Sequence, residues 1–210
     1  MSIPQLVGQS AISGTVAAAA FLAVSGLVKA FSAGAKASRE RVIRQNGEYL
    51  VAARGSGEYI NIREFIQPFN PTVVAVAQQI GPDVNGMLDW VCRNIDYLRE
   101  AVEFWSYPGE TLARGAGDCE DTAILLTSML RNFYSADIVS CVIGEYSGYG
   151  HAWCQFDQDV LETTLNRAGF VDKRNYIPHV AFNDLVAVEL WPGALQEVFS
   201  LKKNQDLTIF

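Results

Sequence analysis

Apolar residues recur at helical spacing in three stretches of the chain. The first predicts a helix that starts at Pro71 and ends at Gly81-Pro82, with its apolar face formed by Val73, Val76, Ala77 and Ile80. The second predicts a helix whose core side carries Met87, Val91, Ile95 and Leu98. The third runs from Cys119 to about Phe133, with apolar residues at Ala123, Leu126, Met129 and Leu130. We expect this third helix to be the central element of the fold, with Pro108-Gly109 forming a turn that leads into it.

Alternating apolar and polar residues predict strands after the central helix. In the segment 151–156, Ala152, Cys154 and Phe156 alternate with His151, Trp153 and Gln155. Neighbouring strands are predicted at 137–144 and 160–164, and one or two more at 176–190. Earlier in the chain, 48–53 and 58–62 read as a hairpin around Arg54-Gly55-Ser56-Gly57. Together these patterns predict an α+β fold in which the central helix packs on an antiparallel sheet.

The N-terminal part of the chain has a different character. Residues 11–28 carry no charge and are followed by Lys29 and several other basic residues. We therefore divide the chain into two parts. We expect residues 1–45 to be a hydrophobic helix with a basic linker, and residues 46–210 to be a domain of their own. Three interpretations stay open for residues 10–34: a membrane anchor, a helix buried in a larger protein assembly, or a cleaved signal peptide. The basic C-terminal flank of an anchor favours a cytoplasmic domain. Residues 35–46 either prolong the helix or form a linker.

Charge and cysteine usage narrow the class of function. The formal charge of −7 divides into +4 for residues 1–45 and −11 for the rest. Because nucleic-acid affinity depends on cationic contacts to phosphates, we expect no nucleic-acid partner. The four cysteines show no CxxC spacing, and two histidines are too few for the usual zinc sites. Cys141 and Cys154 lie on adjacent predicted strands, either as small buried residues or close enough to approach each other.

Three residues have the chemistry of a nucleophile, a base and an orienting carboxylate. Cys119 opens a helix, where the backbone N–H groups and the helix dipole favour a thiolate. His151 lies on a predicted strand, and Glu162 lies on the strand predicted next to it. This is the arrangement of the serine triad generalised to cysteine. His179, the only other histidine, is a rival base outside these segments.

At these residues the sequence resembles the transglutaminase-like superfamily of cysteine enzymes, and most closely its bacterial and archaeal peptidase-like branch. The segments that carry the resemblance are WSYPGETL (105–112), GDCEDTAILL (117–126), GHAW (150–153) and LET (161–163), in family order. It covers roughly residues 70–190 and implies a papain-like core with a catalytic triad of Cys119, His151 and Glu162. The family more often has aspartate at the third position, and glutamate is one methylene longer.

Aromatic and acidic residues near the motifs each allow two interpretations. The resemblance implies that Trp105 or Tyr107, and also Trp153, line a substrate groove, whereas large rings at these positions also suit a core. Asp118, Glu120 and Asp121 crowd the first turn of the central helix, where carboxylates act as caps. The resemblance also implies a calcium site at Asp118 and Glu120, although calcium takes six to eight oxygen ligands.

The resemblance implies cysteine-dependent acyl transfer on protein or peptide amides, without a required cofactor. We expect hydrolysis by a peptidase or amidase rather than protein crosslinking, which the same residues also serve. A different class stays open, a non-enzymatic structural or assembly protein that retains the fold, for example in a virus particle or a membrane complex. We expect the protein to be membrane-anchored or embedded in such an assembly rather than secreted or periplasmic.

Overall fold

The computed structural model of the protein describes residues 41–55, 57–99 and 103–201. In this part of the chain the α-helices are α1 (Pro71–Ile80), α2 (Val84–Asn94), α3 (Pro108–Arg114), α4 (Cys119–Leu130) and α5 (Ala194–Val198), and short 3-10 helices lie at Ile62–Phe65 and Lys173–Asn175. The strands are β1 (Val42–Gln45), β2 (Glu48–Val51), β3 (Ile60–Asn61), β4 (Asp96–Tyr97), β5 (Ala116–Gly117), β6 (Val139–Tyr146), β7 (Tyr149–Phe156), β8 (Asp159–Leu161), β9 (Tyr176–Phe182) and β10 (Ala187–Glu189).

The main sheet is antiparallel and has the strand order β10-β9-β6-β7-β8. A second sheet joins β1, β2 and β3, and β4 pairs with β5 in parallel. The hairpin predicted around residues 54–57 is present, because Leu50 pairs with Asn61 and Val51 with Ile60. The predicted α+β class is therefore confirmed.

Helix α4 is the centre of the fold, since all twelve of its residues are buried. On one side its residues Ala123 and Ile124 pack against the sheet residues Ile143 and Ala152. On the other side the helix meets α1 and α2, and Leu126 belongs to the same apolar cluster as their buried residues. A helix covered on every side needs apolar residues all round, which explains why the run after Asp121 is almost uninterrupted.

Local signals set the ends of α1 as predicted. Asn70 caps the helix by accepting a hydrogen bond from the backbone N–H of Thr72, Pro71 occupies its first turn, and Gly81 ends it at a φ of 82°. In α2 the expected core residues Met87 and Val91 are buried. The prediction for Leu98 was wrong: its side chain is 50% exposed, because the helix ends at Asn94 and the chain enters β4.

Two segments differ from their predicted structure. Residues 42–45 form β1 rather than a helix extension or linker, and they turn into β2 through Asn46 and Gly47, which both have positive φ. An Asn-Gly pair is a strong hairpin signal, because these residues adopt that conformation at low cost. Pro108-Gly109 opens α3 instead of forming a turn, and Glu110 accepts a hydrogen bond from the N–H of Tyr107 to cap it.

The predicted hydrophobic helix at 10–34 lies outside the described residues. Among the residues that the structure does describe, no helix has the length and apolar character that crossing a membrane requires. The membrane and assembly interpretations therefore stay predictions from the sequence.

Candidate active site

Cys119 is the first residue of α4 and is only 4% exposed. Asp118 caps the helix, and its Oδ1 accepts a hydrogen bond from the N–H of Asp121 at 3.4 Å. The Cys119 thiol donates a hydrogen bond to Oε2 of Glu120 at 2.9 Å. The nucleophile candidate therefore lies at a helix N-terminus, as the sequence predicts, with its sulfur against a carboxylate on the same turn.

His151 lies on β7 and is buried. Its Nε2 forms a 2.7 Å hydrogen bond with Oε2 of Glu162, whereas its Nδ1 has no hydrogen-bond partner among the described residues. The ring lies beside the aromatic cluster, which we define as Tyr146, Trp153 and Tyr176. One nitrogen of the imidazole is thus held in place, and the other is left for proton transfer.

Glu162 follows directly after β8 and is buried. Burial by itself raises the pKa of this carboxyl, but the charge and hydrogen bond of His151 and the hydrogen bonds from Thr164 lower its pKa to about 2. The extra methylene of glutamate therefore does not prevent contact with the imidazole. His151 and Glu162 are therefore in contact, whereas no hydrogen bond joins His151 to Cys119.

The low pKa of Glu162 predicts a pH dependence of stability. The unfolded chain binds the proton near pH 4.5 and the folded chain only near pH 2, so the stabilisation is complete above about pH 4.5 and is lost as the pH falls toward 2. A shift of this size corresponds to about 3 kcal/mol. We expect Glu162→Gln to flatten this acid limb, measured as urea unfolding by circular dichroism between pH 7 and pH 2.5.

Asp172 provides the control for this experiment. The hydrogen bond from Arg174 also lowers the pKa of Asp172 to about 2, but the two side chains are exposed and therefore screened by solvent. Asp172→Asn should leave most of the acid limb in place. An acid limb that is as steep in Glu162→Gln as in the wild type contradicts the prediction.

A small cleft adjoins the histidine. It is lined by three residues from the C-terminal part of the chain, Val198, Phe199 and Leu201. The other lining residues are Glu103, Trp105, Glu120, Ile143, Gly150 and His151. Trp105 is buried, its ring stacks on Phe199 at 5.6 Å, and it also lines the cleft, but its assignment to a substrate groove stays a prediction.

The other two aromatic candidates lie elsewhere. Tyr107 stacks on Phe65 at 5.4 Å, and Trp153 is buried in the aromatic cluster, 5.2 Å from Tyr176. Neither is among the described residues that line the cleft. Their assignment to a substrate groove stays a prediction.

Asp121 has a role that the sequence did not reveal. Its buried carboxylate accepts hydrogen bonds from the N–H of Ser106 at 2.7 Å and from Arg114 at 2.8 Å. It also accepts one from the Ser106 hydroxyl at 3.2 Å. Asp121 therefore ties the segment that carries Trp105 to α4, instead of serving only as a carboxylate in the first turn. Gly117 makes room for it, because a Cβ at that position would lie 2.6 Å from the Asp121 Cβ.

Two further residues complete the surroundings of Glu162. Thr164 donates to Oε1 from both its N–H and its hydroxyl, at 2.9 and 2.7 Å, and Tyr176 donates to Oε2 at 2.7 Å. Thr164 is close in sequence and could have been suspected as a local partner. Tyr176 could not, since β6 and β7 lie between its strand β9 and β8 in the sheet.

Asp118, Cys119 and Glu120 are the candidate metal ligands. One ligand atom from each lies within 4.8 Å of the others, and all three residues are buried. The two carboxylates suit a hard cation such as calcium, whereas the sulfur does not. The donor set therefore fits calcium in part, through Asp118 and Glu120, with further oxygens required.

Comparisons with known proteins found one family model and several solved structures. Residues 71–159 match the family described as the transglutaminase-like superfamily. The match contains Cys119 and His151 and ends three residues before Glu162.

Among solved structures, Legionella pneumophila LapG is 17% identical, with a TM-score of 0.47, over 61% of this chain and 82% of that chain. Its calcium-bound structure is 16% identical, with a TM-score of 0.46, over 61% and 86% of the two chains. No curated protein matches the chain. Residues 71–159, less than half of the chain, are therefore similar to the transglutaminase-like superfamily.

Proposed function

We propose that the protein is a cysteine-dependent hydrolase of protein or peptide amides, with Cys119 as nucleophile, His151 as base and Glu162 as the orienting carboxylate. The observation that carries the proposal is the state of the imidazole. Its Nε2 is anchored to Glu162 at 2.7 Å, while its buried Nδ1 has no partner among the described residues. A general base needs this combination of a fixed ring and an available nitrogen.

The chemistry follows from these positions. The Cys119 thiol leaves Glu120, transfers its proton to Nδ1 of His151, and attacks the amide carbonyl to form a thioester as the C–N bond breaks. The imidazolium returns the proton to the leaving amine. Water then attacks the thioester with His151 again as base, which releases the acid and restores the thiol. The N–H of Cys119 at the helix start is a donor for the oxyanion.

The absence of a hydrogen bond between Cys119 and His151 is compatible with this sequence of steps. Such pairs are often long or poorly aligned in the free enzyme and tighten only when substrate binds. The proposal requires the thiol to exchange its Glu120 contact for the imidazole. The N-terminus of α4 supports a thiolate there, and the neighbouring carboxylates oppose it, so we assign the stabilisation of the thiolate to the imidazolium.

The first test is selective labelling of the full-length chain with a thiol-reactive probe that carries an amide. We expect labelling at Cys119 that disappears in His151→Ala. The other three cysteines are free and buried, and burial raises the pKa of Cys92 and Cys154 to about 12 and that of Cys141 well above its usual value. They should stay unlabelled, although Cys141 and Cys154 face each other across β6 and β7. No labelling of Cys119 at any pH from mildly acidic to basic supports the structural or assembly protein instead.

The second test separates hydrolysis from crosslinking. The protein is incubated with a protein substrate and a primary amine, and new peptide termini are compared with incorporated amine by mass spectrometry. New termini support the hydrolase. Predominant amine incorporation overturns it in favour of a transglutaminase, because an amine then resolves the thioester faster than water.

Calcium is the cation that the resemblance implies, and Asp118 and Glu120 are the residues that would hold it. Bound calcium supplies positive charge that compensates the two carboxylates beside the sulfur. We expect it to raise the unfolding temperature, since a ligand at about 100 times its dissociation constant adds about 2.7 kcal/mol. Differential scanning fluorimetry with calcium, magnesium and EGTA measures this.

The matched variant for the calcium test is Asp118→Asn. Asparagine caps a helix as well as aspartate does, so the variant keeps the start of α4 while it weakens a ligand. We expect the calcium response to be lost and the stability in EGTA to be retained. An unfolding temperature that does not respond to calcium in the wild-type chain rejects the site.

A further inference from the structure

The carboxylate of Glu162 is held by four hydrogen bonds, two on each oxygen. Oε1 accepts both bonds from Thr164. Oε2 accepts from Nε2 of His151 and from the hydroxyl of Tyr176, each at 2.7 Å. A glutamate side chain has one more rotatable bond than aspartate, so more contacts are needed to keep its carboxylate in one orientation. Thr164 therefore fixes Oε1, whereas His151 and Tyr176 together fix Oε2.

Tyr176 is itself fixed by its surroundings. It is buried on β9, where it pairs with Tyr146 of β6. Its ring lies 4.7 Å from that of Tyr146 and meets Trp153 edge-on at 5.2 Å. Burial and the negative charge of Glu162 raise the pKa of the Tyr176 hydroxyl, so it stays protonated and acts as a donor. Rings packed in this way leave the hydroxyl little freedom to move.

The close approach of β9 to the histidine has a visible backbone cause. Gly144 pairs with His151 on one side and with Pro178 on the other, at a point where the register of β6 and β9 shifts. A Cβ on Gly144 would lie 2.1 Å from the carbonyl oxygen of Ile177. Only glycine allows this approach, which brings the start of β9, including Tyr176, close to the histidine.

We infer that Tyr176 is a positioning residue for the proposed base: its hydroxyl fixes Oε2 of Glu162, and through that oxygen it holds the imidazole of His151 by Nε2. The consequence for catalysis rests on the proposed function, but the positioning itself does not. Tyr176 acts through Glu162 and contacts no reacting atom. The four hydrogen bonds on its carboxylate explain how Glu162 can serve at a position where the family more often has aspartate.

The test is Tyr176→Phe in the full-length chain, with Tyr146→Phe as matched control. The control removes a hydroxyl from a ring 5.8 Å from His151 that donates no hydrogen bond to Glu162. We expect Tyr176→Phe to lower kcat by about 10- to 100-fold with little change in KM, because a small displacement of the base affects the chemical step rather than binding. Tyr146→Phe should retain the wild-type kcat.

Proton NMR of the same chains gives a readout that does not depend on turnover. The Nε2–H resonance of His151, assigned with His151→Gln, should shift or broaden in Tyr176→Phe and stay in place in Tyr146→Phe. An unchanged resonance overturns the inference, whether or not the protein is an enzyme. If the resonance shifts in a chain that cleaves no amide, the result supports the positioning role of Tyr176 and rejects the proposed function.

The wild-type chain provides a measurement that is independent of how the variant folds. The Tyr176 hydroxyl proton and the Nε2–H of His151 point at the same oxygen, so we expect a nuclear Overhauser effect between them and slow exchange of the hydroxyl proton with water. Fast exchange of that proton with no such effect contradicts the inference.

Discussion

We expect His151→Gln to lower kcat for the proposed amide hydrolysis by about 10²- to 10⁴-fold, the range that a positioned acid–base group contributes. The glutamine amide can still donate a hydrogen bond to Glu162, but it has no nitrogen that can accept the thiol proton. The rate of Cys119 alkylation by iodoacetamide should fall together with kcat. Hydrolysis of fluorescein-labelled casein and single-turnover alkylation measure the two effects on the same samples.

His179→Gln is the matched control, because the two histidines have similar surroundings. His179 is also buried, its Nε2 lies 3.2 Å from a glutamate oxygen, and its Nδ1 has no partner among the described residues. It differs in location, since its ring packs on Trp191 at 4.5 Å and does not line the cleft. The control should retain the wild-type rate. Equal losses in both variants would mean that damage to the sheet, and not loss of a base, explains the result.

We expect Asp121→Ala to destabilise the protein by about 1 to 3 kcal/mol, because the buried carboxylate is the acceptor for Ser106 and for Arg114, whose own side chain is 36% exposed. The change leaves the N–H of Ser106 without its carboxylate acceptor. Because a typical domain is stable by only about 5 to 15 kcal/mol, this loss is a large fraction of the whole. Urea unfolding at pH 7, followed by circular dichroism, measures it.

The control for Asp121 is the exposed Asp137, whose carboxylate accepts a hydrogen bond from Ser135. Asp137→Ala should change stability by no more than about 0.5 kcal/mol, as is usual at the surface. A loss below about 1 kcal/mol in Asp121→Ala would show that the segment 105–107 is held by packing alone.

Local signals explain which elements the sequence predicted well. The ends of α1 depend on Pro71 and Gly81, and the strand at His151 depends on strict alternation, so both could be read from neighbouring residues. The Asn46-Gly47 hairpin was just as readable and was missed. Leu98 was assigned to the core because its spacing continues that of α2, but spacing alone does not show where a helix ends.

Some features of the candidate site could likewise be predicted from local signals, and others could not. Cys119, His151 and Glu162 were predicted from their residue types, their local elements and the family resemblance. The contact between His151 and Glu162 follows from adjacent antiparallel strands, which the sequence also suggested. The thiol contact with Glu120 depends on a side-chain orientation that no spacing predicts.

The sequence by itself determined the central helix, the strands around it and the three residues with triad chemistry, because each depends on neighbours within a few positions. Only the tertiary structure decided what surrounds them. Core packing places Tyr176 against Glu162, although β6 and β7 separate their strands, and the packing of 105–107 and α3 on α4 places Ser106 and Arg114 against Asp121. These contacts join residues whose separation in the chain carries no local signal, so only the packed core selects them.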